Sequence, residues 1–470
     1  MTTSPIRRRT FLSMALCTAA AGRAAAQDAP MTIRVGDAAS ATMPLDYTGL
    51  SYESPQLYNP DYFSPKNKAL IRAVRALGKK GNLRFGANLS DVARWKSEAG
   101  EFITPTDAAI MEKGKEKWEW KLTGPWVREH KDAAITPLAL SNLRGFLDAV
   151  DWTVIYGLNY GTGSPERAAD EAAHAAAALG ERLVAFQVGN EPDQFKRYPH
   201  YGDKAQTFDS YYADYLAFVA AVRQAVPHAP FAGPDTALRM DWVEDFAKRT
   251  GKDAVLLTSH IYHMGPARDP SMTAEVLLAG KSRLPEQIEQ AKKAVAISGG
   301  VPFRLTEVNS CTGGGRPGVS DAFASALWGA DMMLQTATGG YAGVNLHSGG
   351  DGYYAPIEVT ADGGTGLRPL YFGMQFANLF SGAELFPCEV TTNANVTAYA
   401  GRRGRERLLA VINKGPADVS FAQAWVKPVR IVRLTATGIE AKTGVTLKTQ
   451  PATRALSAAV PRYSALLLTG

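Results

Sequence analysis

The chain has 470 residues, of which 46% are hydrophobic and 20% are charged, so it can form two or three domains and is too apolar to be disordered throughout. Its three cysteines exclude a disulfide scaffold and a multi-cysteine zinc module. The formal charge of +6 raises the question of a nucleic-acid or acidic membrane partner, which depends on where the basic residues lie.

The first 26 residues account for much of this charge. They read MTTSPIRRRTFLSMALCTAAAGRAAA, with four arginines, no acidic residue, a short apolar run and a small-residue end, which predicts a secretory signal peptide. The run Arg8-Arg9-Thr10-Phe11-Leu12 resembles the twin-arginine export motif, which implies a bacterial protein that is periplasmic or secreted. Removing four of the 51 basic residues leaves 47 against 45 acidic residues, a charge of +2. We therefore expect no nucleic-acid partner and, after cleavage, no membrane anchor.

Residues 45–382 alternate between β-rich and helical patterns. Eight apolar runs predict strands at 45–54, 81–87, 151–160, 183–190, 230–236, 254–263, 301–308 and 341–347. Eight runs with helical spacing predict helices at 67–79, 141–150, 166–180, 205–226, 240–250, 283–297, 319–337 and 368–381. Apolar strands alternating with helices are typical of a parallel sheet, so the sequence predicts an α/β fold, a (β/α)₈ TIM barrel.

Two other regions flank or interrupt this pattern. The stretch 88–140 is too long for a simple connection and contains Trp95, Trp118, Trp120 and Trp126, so we expect it to form a rim over one mouth of the barrel. After Gly382 the runs are short, β-rich and separated by polar turns. Residues 383–470, together with 27–44, are predicted to form an accessory antiparallel β-sandwich domain.

Two cysteines remain after the signal segment, Cys311 and Cys388. They could pair in an oxidising compartment, or they could be two separate buried thiols. Nothing in the sequence brings them together, so we favour the second reading.

Glutamates end two of the predicted strands. Strand 4 runs into Asn190-Glu191-Pro192, and strand 7 runs into Glu307. The carboxyl ends of barrel strands form the active site in this fold, so the two carboxyls are expected to face each other across the mouth. A lone glutamate there is more often a helix cap or a rim charge, but a pair suits glycoside hydrolysis.

The motifs around these glutamates resemble a known family. Asn190-Glu191-Pro192 is similar to the acid/base signature of the retaining clan A glycoside hydrolases. The run RLTEVNSCTGGGRPGVSDAFASALW, residues 304–328, resembles glycoside hydrolase family 79, which holds β-glucuronidases and heparanases. The stretches GLSYES at 49–54 and LRFGANLSD at 83–91 resemble the same family, so the resemblance spans the barrel.

The resemblance implies roles for individual residues. Glu191 would be the acid/base and Glu307 the nucleophile, with Asn190 on the sugar 2-hydroxyl. Tyr262 would hold the Glu307 carboxylate. Arg84 would keep that carboxylate ionised, because a nearby positive charge lowers the pKa of a carboxyl group, although a rim salt bridge is an equal alternative.

Further residues are candidates for substrate binding. Asp91 and Glu53, at the mouths of strands 2 and 1, could bind ring hydroxyls or could be surface charges, and Asn309 lies in the family motif. The glycines around Gly314, followed by Arg316, could place backbone N–H groups on a sugar carboxylate, or could be a flexible turn. Thr312 and Tyr354 could add hydroxyl groups, although several family members have a tyrosine where this chain has Thr312.

The residues do not indicate a metal or another cofactor. His260 and His263 are three residues apart on a predicted strand, which points them to opposite faces, and no third ligand is nearby, so we expect packing or subsite residues. The leading hypothesis is an exported retaining β-glucuronidase that releases glucuronate or 4-O-methylglucuronate from a glycan or small glycoside. The alternatives are a retaining glycosidase for a non-uronic sugar and a catalytically silent carbohydrate-binding protein.

Overall fold

The structure is a computed structural model that describes residues 31–98, 100–101, 130, 133–198, 201–348, 352–360, 364–453 and 459–470. The predicted signal segment and Trp118, Trp120 and Trp126 of the predicted rim lie outside the described residues.

Eight parallel strands close into a barrel in chain order. They are β1 (Thr48–Glu53), β2 (Asn82–Gly86), β3 (Thr153–Leu158), β4 (Leu183–Val188), β5 (Phe231–Thr236), β6 (Ala254–Pro266), β7 (Phe303–Thr312) and β8 (Gly343–His347). Closure comes from the pairing of β8 with β1, where Val344 lies opposite Thr48. All eight predicted strands are present, and the predicted (β/α)₈ barrel is confirmed.

Eight helices cover the barrel. They are α1 (Lys68–Leu77), α2 (Pro137–Val150), α3 (Pro165–Leu179), α4 (Phe208–Ala225), α5 (Met240–Thr250), α6 (Leu284–Ile297), α7 (Phe323–Thr338) and α8 (Pro369–Asn378). The described chain also has a helix at Ala274–Leu278, which was not predicted, and 3-10 helices at Ser54–Tyr58, Asn88–Val92, Gly180–Arg182, Pro192–Arg197 and Gly251–Asp253. Local chemistry sets several starts: Thr136 and Ser164 cap α2 and α3, each followed by a proline whose missing N–H costs nothing there.

The predicted rim is only partly within the described residues. Short paired strands at Lys96–Ser97 and Gly100–Glu101 follow the 3-10 helix at Asn88–Val92. Trp95 is fully buried, and its indole N–H donates to Asp170 of α3 at 2.6 Å. Its ring also contacts His174 of α3, with centroids 5.2 Å apart, so Trp95 packs against the outer helix layer.

Two facing sheets form the rest of the described chain. The seven-stranded sheet contains Ala41–Thr42, Glu384–Phe386, Val396–Arg403, Glu406–Asn413, Ser464–Thr469, Arg430–Thr435 and Thr446–Pro451. The four-stranded sheet contains Cys388–Thr391, Met31–Val35, Val419–Gln423 and Ala459–Val460. Ile357–Val359 and Thr365–Leu367 form a separate two-stranded sheet between β8 and α8 in the chain. The pairing is antiparallel except between Met31–Val35 and Val419–Gln423, which run parallel.

The central strand Glu406–Asn413 is apolar on both faces. Leu409 and Val411 pack into the core between the two sheets, whereas Leu408, Ala410 and Ile412 pack into the core shared with the barrel. Side chains alternate across a strand, so this sheet takes part in two cores. It attaches the two facing sheets, which we call the β-module, to the barrel.

Polar side chains also connect the β-module to the barrel. Asp331 of α7 accepts hydrogen bonds from Tyr399 at 2.7 Å and from Lys414 at 2.5 Å, which ties the β-module to the barrel.

Cys311 and Cys388 are free thiols, so the reading of two separate cysteines is correct. Among the described helices, none combines the length and the apolar character that crossing a membrane requires.

Candidate active site

Glu191 and Glu307 meet at the carboxyl ends of the barrel strands. Glu191 follows β4 through Gly189 and adopts a left-handed backbone conformation with φ of 50°, and its N–H donates to the Asp235 carbonyl at 2.9 Å. Glu307 lies within β7 and is buried. A carboxylate oxygen of Glu191 and one of Glu307 are within 4.8 Å of each other. Two residues 116 positions apart in sequence thus form one pair.

The pair lies in the wall of a cleft of about 1150 Å³. The described residues that line it are Glu53, Asn88, Glu191, Gln194, Arg197, Tyr198, Ala237, Leu238, His260, Tyr262, His263, Met264, Gly265, Arg268, Arg283, Glu307, Thr312, Gly313, Gly314, Gly315, His347, Gly352, Tyr353 and Tyr354. The cleft therefore lies at the ends of β1, β2, β4, β5, β6, β7 and β8 and the segments that follow them.

Glu307 is held as a carboxylate. Arg84 Nη1 donates to its Oε2 at 3.0 Å, and the hydroxyl of Tyr262 donates to its Oε1 at 2.7 Å. Burial opposes ionisation, but the neighbouring His347, His260 and Arg84 and the hydrogen bond from Tyr262 outweigh it and lower the pKa of Glu307 to about 2.

Glu191 has the opposite electrostatic setting. Burial raises its pKa, and the nearby Glu307 charge adds to this effect. His260 Nδ1 lies 2.9 Å from Glu191 Oε1 and partly offsets the rise. The two carboxyl groups therefore differ in protonation state: Glu191 can donate a proton while the Glu307 carboxylate attacks an electrophilic carbon.

His260 carries a positive charge at neutral pH. Burial lowers its pKa, but the charges of Asp235 and Glu307, the close contact with Asp235 and the hydrogen bond with Glu191 raise it to about 10. His260 and Tyr262 are two residues apart on β6 and so point the same way, each to one glutamate. His263 instead contacts the Trp328 ring, with centroids 5.8 Å apart.

Arg84 lies beneath the pair and is fully buried. Besides Glu307, its guanidinium donates to Asn190 Oδ1 at 2.7 Å and to Asp235 Oδ2 at 2.5 Å. The alternative of a rim salt bridge is wrong, because no part of Arg84 is exposed. Asn190 itself is buried and is not a cleft-lining residue; its Nδ2 lies 3.3 Å from Asn88 Oδ1.

The structure separates the remaining predicted residues into two groups. Glu53, Thr312, Gly314 and Tyr354 line the cleft, and Glu53 Oε2 also accepts from the Leu89 N–H at 2.7 Å. Asp91, Asn309 and Arg316 are not among the described cleft-lining residues.

The residues outside the cleft surface have protein partners. Asp91 is buried and accepts from the backbone N–H groups of Tyr160, Gly161 and Asn190 at 3.3, 3.2 and 3.1 Å. Asn309 donates to the carbonyls of His347 and Tyr354 at 2.8 and 3.2 Å, and Arg316 donates to the Ala267 carbonyl at 2.9 Å. These three side chains thus have protein partners in the walls of the site, and the expectation that they contact substrate stays a prediction.

Four polar residues of the site were missed or misjudged in the sequence. Asp235, Gln187 and His347 were not singled out, and His260 was expected only to pack or to line a subsite. Asp235 shares the signal that marked the glutamates, a polar side chain at the end of an apolar strand. His260 gives no comparable signal, because its role depends on partners from β4 and β5.

The donor atoms of Glu191, His260 and Glu307 lie close enough together to raise the question of a metal ion. Both His260 nitrogens already face carboxylates, at 2.9 Å from Glu191 and 3.1 Å from Asp235. An imidazolium in contact with two carboxylates accounts for this arrangement without an ion: Nδ1 is hydrogen-bonded to Glu191, whereas Nε2 has a charge contact with Asp235.

No protein-family model matches the chain. Among curated proteins it is similar to a beta-glucuronidase of Aspergillus niger, 27% identical over 254 residues that make up 47% of this chain and 46% of the relative. It is also similar to a beta-glucuronidase of Neurospora crassa, 28% identical over 249 residues, 47% of this chain and 44% of the relative. The chain thus spans about half the length of the curated relatives it matches.

Solved structures resemble the chain over nearly its whole length. A 4-O-α-L-rhamnosyl-β-D-glucuronidase from Fusarium oxysporum is 18% identical, with a TM-score of 0.69 over 93% of this chain and 100% of that chain. A family 51 α-L-arabinofuranosidase from Bifidobacterium longum is 13% identical, with a TM-score of 0.67 over 94% of this chain and 99% of that chain. At these identities the likeness shows the fold, and the curated relatives confirm the resemblance to glycoside hydrolase family 79.

Proposed function

We propose that this family 79-like chain is an exported, retaining β-glucuronidase. The observation that carries the proposal is the pair Glu191 and Glu307, which lie within 4.8 Å of each other in a cleft and whose pKa values are shifted in opposite directions. The names of the curated relatives support glucuronide as the substrate class.

The pair supports a double-displacement mechanism. The Glu307 carboxylate attacks the anomeric carbon while Glu191 gives its proton to the glycosidic oxygen, and the bond to the leaving group breaks. Glu191, now ionised, takes a proton from water as that water attacks the same carbon, and Glu307 leaves. Retaining glycosidases hold their carboxyls about 5–5.5 Å apart, whereas inverting enzymes leave about 6.5–9.5 Å for a water molecule, so the close approach favours retention.

A turn beside the nucleophile supports recognition of a negatively charged sugar. Gly313, Gly314 and Gly315 all have positive φ, at 77°, 89° and 81°, and line the cleft after β7. The hydrogen bonds found among the described residues include none donated by their three backbone N–H groups. Successive free N–H groups in such a turn form a concave site for an anion, which suits the carboxylate of glucuronate.

A glycoside panel tests the proposal. We expect hydrolysis of aryl β-glucuronide, with retention at the anomeric carbon by NMR and labelling of Glu307 by a glucuronate-configured aziridine. A neutral aryl glycoside that is hydrolysed faster than the glucuronide would contradict the substrate class and favour the alternative that Thr312 suggests. Absence of both turnover and labelling would favour a silent carbohydrate-binding protein.

The glycine turn can be tested separately. Gly314→Ala adds a side chain at φ of 89° and should lower kcat/KM for the glucuronide more than for the matching neutral glycoside, because the shifted N–H groups no longer converge on the carboxylate. Gly340→Ala is the matched control, since Gly340 has φ of 86° and lies in the turn between α7 and β8. Equal losses for both substrates would argue against an anion site at Gly314.

Export is part of the proposal and rests on residues 1–26. A reporter fused behind this segment should reach the bacterial periplasm and lose the segment near Ala26. Changing Arg8 and Arg9 to lysine should block this export if the twin-arginine route is used. Export that is unaffected by the two changes would contradict that route.

A further inference from the structure

A single buried carboxylate lies behind both glutamates. Asp235, at the end of β5, is 1% exposed, and its Oδ2 is 2.5 Å from Arg84 Nη2 and 3.1 Å from His260 Nε2. Each of these cations contacts one member of the pair: Arg84 donates to Glu307 at 3.0 Å, and His260 Nδ1 lies 2.9 Å from Glu191. Asp235 therefore connects the two halves of the site without lining the cleft itself.

The position of this carboxylate is fixed from several strands. Its Oδ1 accepts from Gln187 Nε2 at 2.6 Å, from β4, and from the hydroxyl of Thr306, from β7. The Asp235 carbonyl accepts from the Glu191 N–H at 2.9 Å, so the same residue also holds the backbone from which Glu191 projects. Such a set of contacts fixes both distance and direction for the groups that Asp235 supports.

The charges of this buried group balance only when Asp235 is ionised. With Glu191 protonated, the anions are Asp235 and Glu307, and the cations are Arg84 and His260. Removing the charge of Asp235 would leave one excess positive charge among buried groups, where Coulomb interactions are strong. The proton of His260 would then be lost more easily, and a neutral His260 would no longer lower the pKa of Glu191.

We propose that Asp235 is a positioning residue of the hydrolytic site, which holds His260 against Glu191 and Arg84 against Glu307 and thereby fixes the geometry and the charge around the pair. The inference rests on the proposed function and adds to it a residue that touches neither substrate nor reacting atoms.

Other charged groups also affect the pKa of His260. The charged and titratable side chains of the described chain that face it come from β2, the loop after β4, β5, β7 and β8, and are Arg84, Glu191, Asp235, Glu307 and His347. Among these, Asp235 is the anion whose charge raises the pKa of His260 most, with Glu307 next. The substitution of Asp235 is therefore the decisive one.

The variant Asp235→Asn tests the proposal, because it keeps the shape and removes the charge. With the glycoside that the wild type cleaves, we expect kcat to fall about 10- to 100-fold with little change in KM. The alkaline limb of the kcat/KM profile should move, because loss of the Asp235 charge lowers the pKa of His260 and so changes the charge beside Glu191. Asp331→Asn is the matched control: it removes a half-buried carboxylate that pairs with Lys414 outside the cleft, and it should leave the alkaline limb in place. An unchanged limb in Asp235→Asn would overturn the proposal.

A second measurement, NMR titration of His260, tests the proposal even if the Asp235→Asn variant fails to fold or the wild type is inactive. The imidazole nitrogens of His260 in the wild type can be followed by NMR, with His260→Asn used for assignment. We expect both nitrogens to stay protonated through neutral pH, with loss of the proton toward a pKa of about 10. Titration of His260 near its ordinary pKa of 6.5 would overturn the proposal. An inactive wild type with a persistently protonated His260 would instead contradict only the proposed function.

Discussion

The hydroxyl of Tyr262 donates to Oε1 of Glu307 at 2.7 Å, on the opposite carboxylate oxygen from the one that Arg84 contacts. Each oxygen of the predicted nucleophile thus has its own donor, one neutral and one charged. Hydrogen bonds to a charged carboxylate favour that form, so the two donors fix the orientation of Glu307 and lower its pKa together.

Replacing Tyr262 by phenylalanine should separate these effects. Removal of a donor to the charged form raises the pKa of Glu307, so the acid limb of kcat/KM should move to higher pH and its plateau should fall about tenfold. The measurement is a pH–rate profile on aryl β-glucuronide. Tyr399→Phe is a control, since Tyr399 is a half-buried tyrosine that donates to a carboxylate outside the cleft, Asp331, and should not move the limb.

Glu191→Gln should produce an effect that depends on the leaving group. General acid catalysis contributes about 10²–10⁴-fold, so glycosides with poor leaving groups should lose that much rate, whereas a dinitrophenyl glycoside should react nearly normally in its first step. Steady-state and burst kinetics on both substrates measure the difference. Glu171→Gln is the control, because Glu171 is also buried but is held by Tyr156 at 2.8 Å away from the cleft. Equal losses on both leaving groups would contradict the acid role.

Glu307 should make stability depend on pH in the acid range. Its pKa is about 2 in the folded chain against an ordinary value of 4.5, so its stabilising contribution is complete above pH 4.5 and is lost as pH falls toward 2. The shift corresponds to about 3 kcal/mol. Denaturant unfolding of the wild type and of Glu307→Gln should show a difference in unfolding free energy that shrinks across this window. A difference that does not change with pH would contradict an ionised, stabilised Glu307.

Substitution of Asp91 can decide whether this residue supports the backbone of the site or contacts the substrate. Its carboxylate accepts three backbone N–H groups, including that of Asn190 at 3.1 Å. Asp91→Ala leaves these buried donors unpaired, so we expect unfolding free energy to fall by about 1–3 kcal/mol and kcat to fall through the displaced Asn190–Glu191 segment, with KM nearly unchanged. A raised KM with normal kcat and stability would support the sequence-based prediction that Asp91 binds a ring hydroxyl.

The sequence alone predicted the barrel and the two glutamates, for a local reason. Each strand is a short apolar run between polar turns, and residues such as Glu191 and Glu307 appear where such a run gives way to polar residues. Since all eight parallel strands end at one mouth, a polar residue at a strand end is placed there by the fold class itself. No knowledge of side-chain partners is needed for that step.

Only the tertiary structure decided what each strand-end residue faces. Glu191, Asp91 and Asp235 carry the same local signal, yet Glu191 points into the cleft, Asp91 caps backbone N–H groups, and Asp235 pairs with Arg84 and His260. The left-handed backbone at Glu191 and Asp235 turns these side chains in directions that strand alternation does not predict. Their charges then act through space on groups from other strands, and the protonation of the site follows from those distances rather than from neighbours in sequence.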